Sequence, residues 1–412
     1  MRAWAGDTFA ALATPNYRRW FVGQSVSLIG TWMQKVAQAW LVLQLTGSGT
    51  ALGMVAAAQF LPILLLGPYG GLLADRMDKR RLLVGTQVVL GGTALALGVL
   101  TVTGLVELWM VIALALVVGL VTACDNPARQ SFVQEMVGDE RLRNAVSLNS
   151  VLMNAARAVG PAVAGVLIAT VGLGLCFLIN AVSFVAVIAA LMAMDIDELR
   201  PSPRAGREPG QVRQGLSYVG HTPGLLVPLM MLAVVGTLAY EFQVVLPLLA
   251  EGTFGGGAGT YGLLTSAMGL GAIAGGLIVA RRGRTGLRAM TVASAAFGAA
   301  ILLAAAAPTL GLVLVALTVV GAASVTFLAT GNTTLQLTAD PRYRGRVMAL
   351  WSMAFLGTTP VGAPVIGWVA ETVGARGGLV VGGLACLAAA AVGAVGSLRA
   401  EGAPAPGAPR PA

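Results

Sequence analysis

The chain has 412 residues, of which 57% are hydrophobic and only 10% charged. No soluble globular domain is built on that balance, so lipid is the solvent for most of the surface. The formal net charge of +9 suggests a nucleic-acid partner, but that reading fails once the cations are placed along the chain, and no such partner is expected.

Residues 1–19 are short and mixed, with Arg2, Arg18 and Arg19 ahead of the first span. The run 20–45 is too long and polar for a signal-peptide core, and no small-residue cleavage site follows it, so it is expected to stay as a helix. It carries Gln24, Ser27, Thr31, Gln34 and Gln38 three and four apart. That spacing draws one polar stripe that hydrocarbon would not accept. Lys35 lies beside the stripe. The next spans, 51–74 and 82–103, flank Gly71-Leu72-Leu73-Ala74-Asp75-Arg76-Met77-Asp78-Lys79-Arg80-Arg81. Each flank can cross a hydrocarbon core of about 30 Å as a helix of about 20 residues. The charges between them therefore form a hairpin at a membrane face, and its cations assign that face to the cytoplasm. An orientation signal alone would account for this.

Further spans read as 107–124, 144–171 and 175–194. The fifth places Ser150, Asn154, Arg157 and Pro161 on one face. Arg157 needs a partner or water, and Asn154 or Asp125 is expected to hold it. The polar stretch 195–222, with Pro201, Pro203 and Pro209, reads as a linker. Within it Gln211–Gly220 is expected as a short amphipathic helix on the membrane surface. Spans follow at 223–250, 260–280, 289–307, 310–332, 345–371 and 377–398, and the Pro- and Ala-rich tail from Ala400 is expected to be disordered. The division is thus 1–194, linker 195–222, 223–399 and tail 400–412. Twelve spans put both termini in the cytoplasm. Every Lys and Arg then falls on that side except Lys35 and Arg157, inside spans, and Arg376.

Thr237, Tyr240 and Glu241 cluster on the seventh span, and Thr326, Thr330 and Thr333 on the tenth. For uncharged residues, cavity lining and interhelical bonding are equal readings. A charge near the midplane costs roughly 2.5–3.5 kcal/mol, so Lys35, Arg157 and Glu241 should face protein or water. Lys35 and Glu241 lie equally deep in the first and seventh spans. They are expected either to pair across an outer gate or to bond locally. Cys124, Cys176 and Cys386 lie in separate runs and His221 in the linker, so no catalytic or metal site and no cofactor is expected.

Residues 133–172 align without gaps on 335–374, sharing Gly160/Gly362, Gly165/Gly367 and Gly172/Gly374. Gly160, Pro161, Gly165, Gly362 and Gly367 are expected to let helices approach closely, with Pro161 permitting a bend.

The hairpin pattern G-x-x-x-D-R-x-x-K-R-R, placed between spans two and three, resembles that of major facilitator superfamily transporters, although Asp78 stands where the family usually has glycine. Gly30-Thr31-Trp32-Met33-Gln34, Trp40-Leu41-Val42-Leu43, Asp125-Asn126-Pro127-Ala128-Arg129-Gln130 and Asn144-Ala145-Val146-Ser147-Leu148-Asn149-Ser150 are similar to the enterobactin-exporter-like branch, which includes macrolide efflux pumps. Gly160-Pro161-Ala162-Val163-Ala164-Gly165 is similar to an antiporter motif, with Ala164 in place of one glycine. The resemblance implies an all-α integral membrane fold of twelve transmembrane helices in two pseudo-symmetric six-helix bundles. It also implies a conformational latch of Asp75, Arg76, Lys79 and Arg80.

The cavity helices of that family are the first, fourth, seventh and tenth, which makes Gln24, Thr31, Gln34, Gln38, Tyr240, Thr326 and Thr330 the expected substrate contacts, and Asn154 on the polar face of the fifth span is expected to join them. Lys35, Arg157 and Glu241 are the expected coupling charges. The implied protein is a monomeric exporter in a bacterial inner membrane, moving a small amphiphile (a drug, antibiotic or siderophore-like compound) against protons. The fourth span lacks the arginine that many proton-coupled drug exporters carry. A nutrient importer on the same fold is the alternative. A non-transporting membrane sensor would call for appended soluble domains or an extended loop.

Overall fold

The computed structural model describes residues 9–200 and 211–402, and among them every regular element is helical. Helix α1 is Pro15–Thr46, with proline at its first position, where the missing N–H costs nothing. Helix α2, Gly49–Arg76, is capped by Ser48, whose hydroxyl accepts the Ala51 N–H. Helix α3, Lys79–Val102, is capped in the same way by Asp78, which accepts the Arg81 N–H at 2.8 Å. The residue that departs from the family's glycine is therefore an N-cap.

The next helical stretch, Leu108–Val171, is broken at Gly138, whose φ of 68° lies in the left-handed region that glycine reaches without strain. We divide it into α4 (108–137) and α5 (139–171). Hydropathy ends the fourth span near residue 124 and resumes at 144. The helices run on past both limits because the polar residues beyond the apolar run have partners within the protein. Then come α6, Leu173–Met192, and α7, Gln211–Gly220, the short helix expected within the linker. Residues 201–210 lie outside the described residues.

The seventh span is two pieces, α8 (Pro223–Leu238) and α9 (Phe242–Leu248), the latter continued by a π turn at Leu249–Thr253. Helices α10 (Ala258–Arg282), α11 (Leu287–Ala306) and α12 (Leu310–Thr338) follow. The eleventh span is also interrupted, giving α13 (Arg344–Leu356) and α14 (Thr359–Thr372). Pro360 accounts for the second interruption, because it has no N–H to bond the carbonyl of Leu356, four residues back at the end of α13. No proline accounts for the first. Helix α15 spans Ala375–Gly402, so the first three residues of the expected disordered tail are helical, and 403–412 lie outside the described residues.

Ten helical stretches among the described residues are long and apolar enough to cross a membrane. Dividing Leu108–Val171 at Gly138 and adding the polar-striped α1 brings the count to twelve. Large apolar side chains such as Val22, Leu65, Val182 and Val292 point outward, as a lipid solvent requires.

The chain forms two compact units. The first comprises Met1–Gly206, Glu241–Leu270 and Thr359–Arg376. In it α2 meets α14 through paired glycines. A Cβ on Gly367 would sit 2.1 Å from the Gly49 carbonyl oxygen, and one on Gly53 would sit 2.4 Å from that of Ala363. Gly165 meets Gly259 of α10, and Gly160 admits Trp32 of α1. Gly269 lies over the Arg157 carbonyl, which Pro161 leaves without its helical N–H. Gly362 is buried in α14. The second unit comprises Arg207–Tyr240, Gly271–Thr358 and Gly377–Ala412. Within it α11 packs on α15, where Ser294 donates to the Cys386 carbonyl at 2.8 Å, and Gly271 faces the Thr318 carbonyl of α12.

Because its neighbour is backbone, Gly367→Val should destabilise the protein by about 1–3 kcal/mol. Thermal unfolding in detergent should show a lowered midpoint. Gly85→Val, where an added Cβ would meet no atom within 4 Å, should lower the midpoint far less.

Candidate functional site

Part of the polar stripe of α1 is spent inside the protein. Gln24 and Ser27 are buried, and the Thr31 hydroxyl donates to the Ser27 carbonyl at 2.9 Å. Gln34 accepts the Asn180 amide of α6 at 2.5 Å, and Asn180 in turn accepts the Ser183 hydroxyl at 2.9 Å. Gly30 makes the approach possible, since a Cβ there would lie 2.3 Å from the Asn180 oxygen. This part of the stripe joins two helices. Gln38, half-buried, sits one turn beyond Lys35.

Lys35 and Arg157 converge on one indole. The Lys35 Nζ lies 4.2 Å from the Trp32 ring centroid and the Arg157 guanidinium carbon 5.0 Å from it. All three side chains are half-buried. Asn154 and Asp125, the expected holders of Arg157, both have other partners. Asn154 donates to the Ser150 carbonyl of its own helix at 2.8 Å. Asp125 accepts from Thr86 at 2.7 Å and Gln87 at 2.8 Å, and pairs with Arg129 one turn away. These three donors between them use both of its oxygens.

Glu241 sits in the gap between α8 and α9 and is only 2% exposed. The Thr359 hydroxyl at the start of α14 stands beside its carboxylate without hydrogen-bond geometry, and neither oxygen has a partner among the described residues. The expected Lys35–Glu241 pair is therefore absent from this structure. Lys35 lies toward α5 over Trp32, whereas Glu241 lies beside α14.

The joint of α2 with α14 is closed by an acid that the sequence reading did not single out. Glu371 accepts from the Ser48 hydroxyl at 2.8 Å, the Thr50 N–H at 3.0 Å and the Thr50 hydroxyl at 2.7 Å. It thus sits on the N-terminus of α2, where a helix favours negative charge. Its position at the end of an apolar run, three residues past Trp368, is the only sequence signal.

At the other end of α2, Lys79 pairs with Glu135 of α4 at 2.5 Å. Arg80 donates to the Leu191 and Met192 carbonyls at 2.6 and 3.0 Å, capping the end of α6. Arg76 is exposed, and the Asp75 side chain lies outside the described residues. The basic half of the expected latch thus bonds to α4 and α6, with Glu135 as the member the sequence reading missed.

In the second unit, the Tyr240 hydroxyl donates to the Ser324 carbonyl of α12 at 2.8 Å, and its ring packs between Phe297 and Phe355 at 5.2 and 5.0 Å. Thr326 donates to the Ala322 carbonyl, and the buried Thr330 offers its carbonyl to Thr334.

Removing the Glu371 carboxylate should loosen the α2–α14 joint. A cysteine placed at the fully buried Ala363, with the three native cysteines changed to alanine, reads this out. Its maleimide labelling should rise several-fold in Glu371→Ala and stay slow with Glu371 present.

A profile of the "Transmembrane secretion effector" family matches residues 6–407. Macrolide efflux protein A of Streptococcus pyogenes is 25% identical over 375 residues, covering 87% of this chain and 90% of that one. The uncharacterized MFS-type transporter YfiS of Bacillus subtilis (strain 168) is 28% identical over 217 residues, so the match spans about half of each chain, 52% and 51%. Among solved structures, a bacterial homologue of the human lysosomal transporter Spinster, inward-facing and occupied, superposes with a TM-score of 0.74 at 14% identity, covering 93% of this chain and 96% of that one.

Proposed function

We propose, because the chain belongs to the transmembrane secretion effector family of the major facilitator superfamily, that it exports a small amphiphilic compound by proton antiport with alternating access. Membership makes it a multi-pass cell-membrane transporter of a small molecule rather than an enzyme. The efflux role named for the Streptococcus pyogenes relative supports export. The compound class is a drug, an antibiotic or a siderophore-like molecule. The working unit is a monomer in a bacterial inner membrane, with the basic hairpin and both termini in the cytoplasm and no cofactor beyond the proton gradient.

Glu241 carries the coupling reading. A carboxylate buried at bilayer depth is costly unless it has work to do, and transporter helices are interrupted where ions bind. Here the buried acid and the interruption coincide, and a hydroxyl stands at its side. Taking up one proton makes the group neutral and releasing it restores the charge, so each state can favour a different conformation.

In everted vesicles, Glu241→Gln should remove the dependence of export on the pH gradient while substrate binding in detergent stays within a few-fold. Export by this variant that still follows the gradient would refute the coupling role. The Arg80 contacts to α6 lie far from Glu241, at the cytoplasmic end. Arg80→Ala should accordingly abolish net transport with binding again within a few-fold, and parallel loss of binding in a monodisperse protein would assign Arg80 to the substrate instead.

A further inference from the structure

We infer that Trp32, Lys35 and Arg157 form a recognition site for the carboxylate of an anionic amphiphile; this rests on the transport reading above and narrows its substrate class. Among the described residues no acidic side chain pairs with Lys35, whose close contact is the face of Trp32. Arg157 stands over the same ring. Two cations drawn to one indole repel each other, and an oxyanion held by both would turn that repulsion into attraction.

The exposure of the three side chains points the same way. Each is half-buried, and a cation at bilayer depth does not open onto hydrocarbon, so the open side faces water or a ligand. The chemistry is divided suitably. A guanidinium grips a carboxylate with two parallel N–H donors, an ammonium adds a point charge, and the indole offers an apolar wall for the rest of the molecule.

The site is also held in place. Trp32 packs against the cluster of Leu28, Leu152 and Ala156, and Gly160 brings the α5 backbone against the root of the Trp32 side chain. The neighbouring hydrogen-bonding groups of α1 are already engaged, Thr31 with Ser27 and Gln34 with Asn180.

Equilibrium binding of fusidate, an amphiphilic carboxylate, measured on the full chain in phosphatidylcholine nanodiscs tests the assignment. Its methyl ester serves as the neutral control and tetraphenylphosphonium as the cationic one. Lys35→Gln and Arg157→Gln should each weaken fusidate by about tenfold or more, as loss of a charge-assisted contact does. Neither change should weaken the ester or tetraphenylphosphonium, which also shows that the variants are folded. Lys35→Arg should restore fusidate binding, since it keeps the charge. The assignment is overturned if fusidate binds both Gln variants within twofold of the wild type, or if the wild type prefers the ester or the cation. It is also overturned if phosphatidylglycerol in the disc displaces fusidate until wild type and variants bind alike, which would make a lipid head group the occupant. Everted vesicles separate the two readings. Gradient-driven movement of tetraphenylphosphonium without fusidate binding leaves the transporter standing and removes the anion site. Lys35-dependent fusidate binding with no gradient-driven movement of either compound does the reverse.

Discussion

A peptide group in hydrocarbon has no water to bond, so each must find its partner inside its own helix or be shielded by protein. This one constraint makes every regular element among the described residues a helix and leaves large apolar side chains outward. It also gives the interruptions their meaning. The gaps after α8 and α13 expose carbonyl and amide groups that lipid cannot satisfy. Both gaps fall where the first unit resumes, at Glu241 and Thr359, and there the two residues stand side by side.

Helix contact in a bilayer comes from close approach, because hydrocarbon gives apolar side chains no reason to leave it. The glycine pairs Gly49–Gly367 and Gly165–Gly259 put backbone on backbone in the first unit. Polar bonds then fix direction where approach is close. Gly30 admits Asn180 to Gln34, and the Gly49–Gly367 contact lies beside the carboxylate of Glu371 on the α2 N-terminus. Such bonds are each worth little in a membrane, about 0.6 kcal/mol on average. Their value is in selecting one packing among several that the glycines would permit.

Charges follow the same logic of necessity. Those at the hairpin end find local partners: Lys79 with Glu135, Arg80 with the end of α6, Asp125 with Arg129, Thr86 and Gln87. They tie α3, α4 and α6 together. Lys35, Arg157 and Glu241 lie deeper, and the first two gather at Trp32 while the third stays apart.

The sequence by itself determined the solvent, the spans, the basic hairpin between the second and third of them, and the family. Hydropathy, charge bias and motif spacing are properties of neighbouring residues, and a linear reading captures them. Tertiary structure decided the partners. Lys35 and Glu241 sit at matching depths in sequence, yet Lys35 lies over Trp32. Gln34 looked like cavity lining and bonds Asn180, a residue far along the chain. Asp78, a departure from the family's glycine, caps α3, and Glu371 gains its partners only where α2 lies beside α14. In each case the choice turned on a gap of a few ångströms between helices remote in sequence, set by which glycines allowed the backbones to touch.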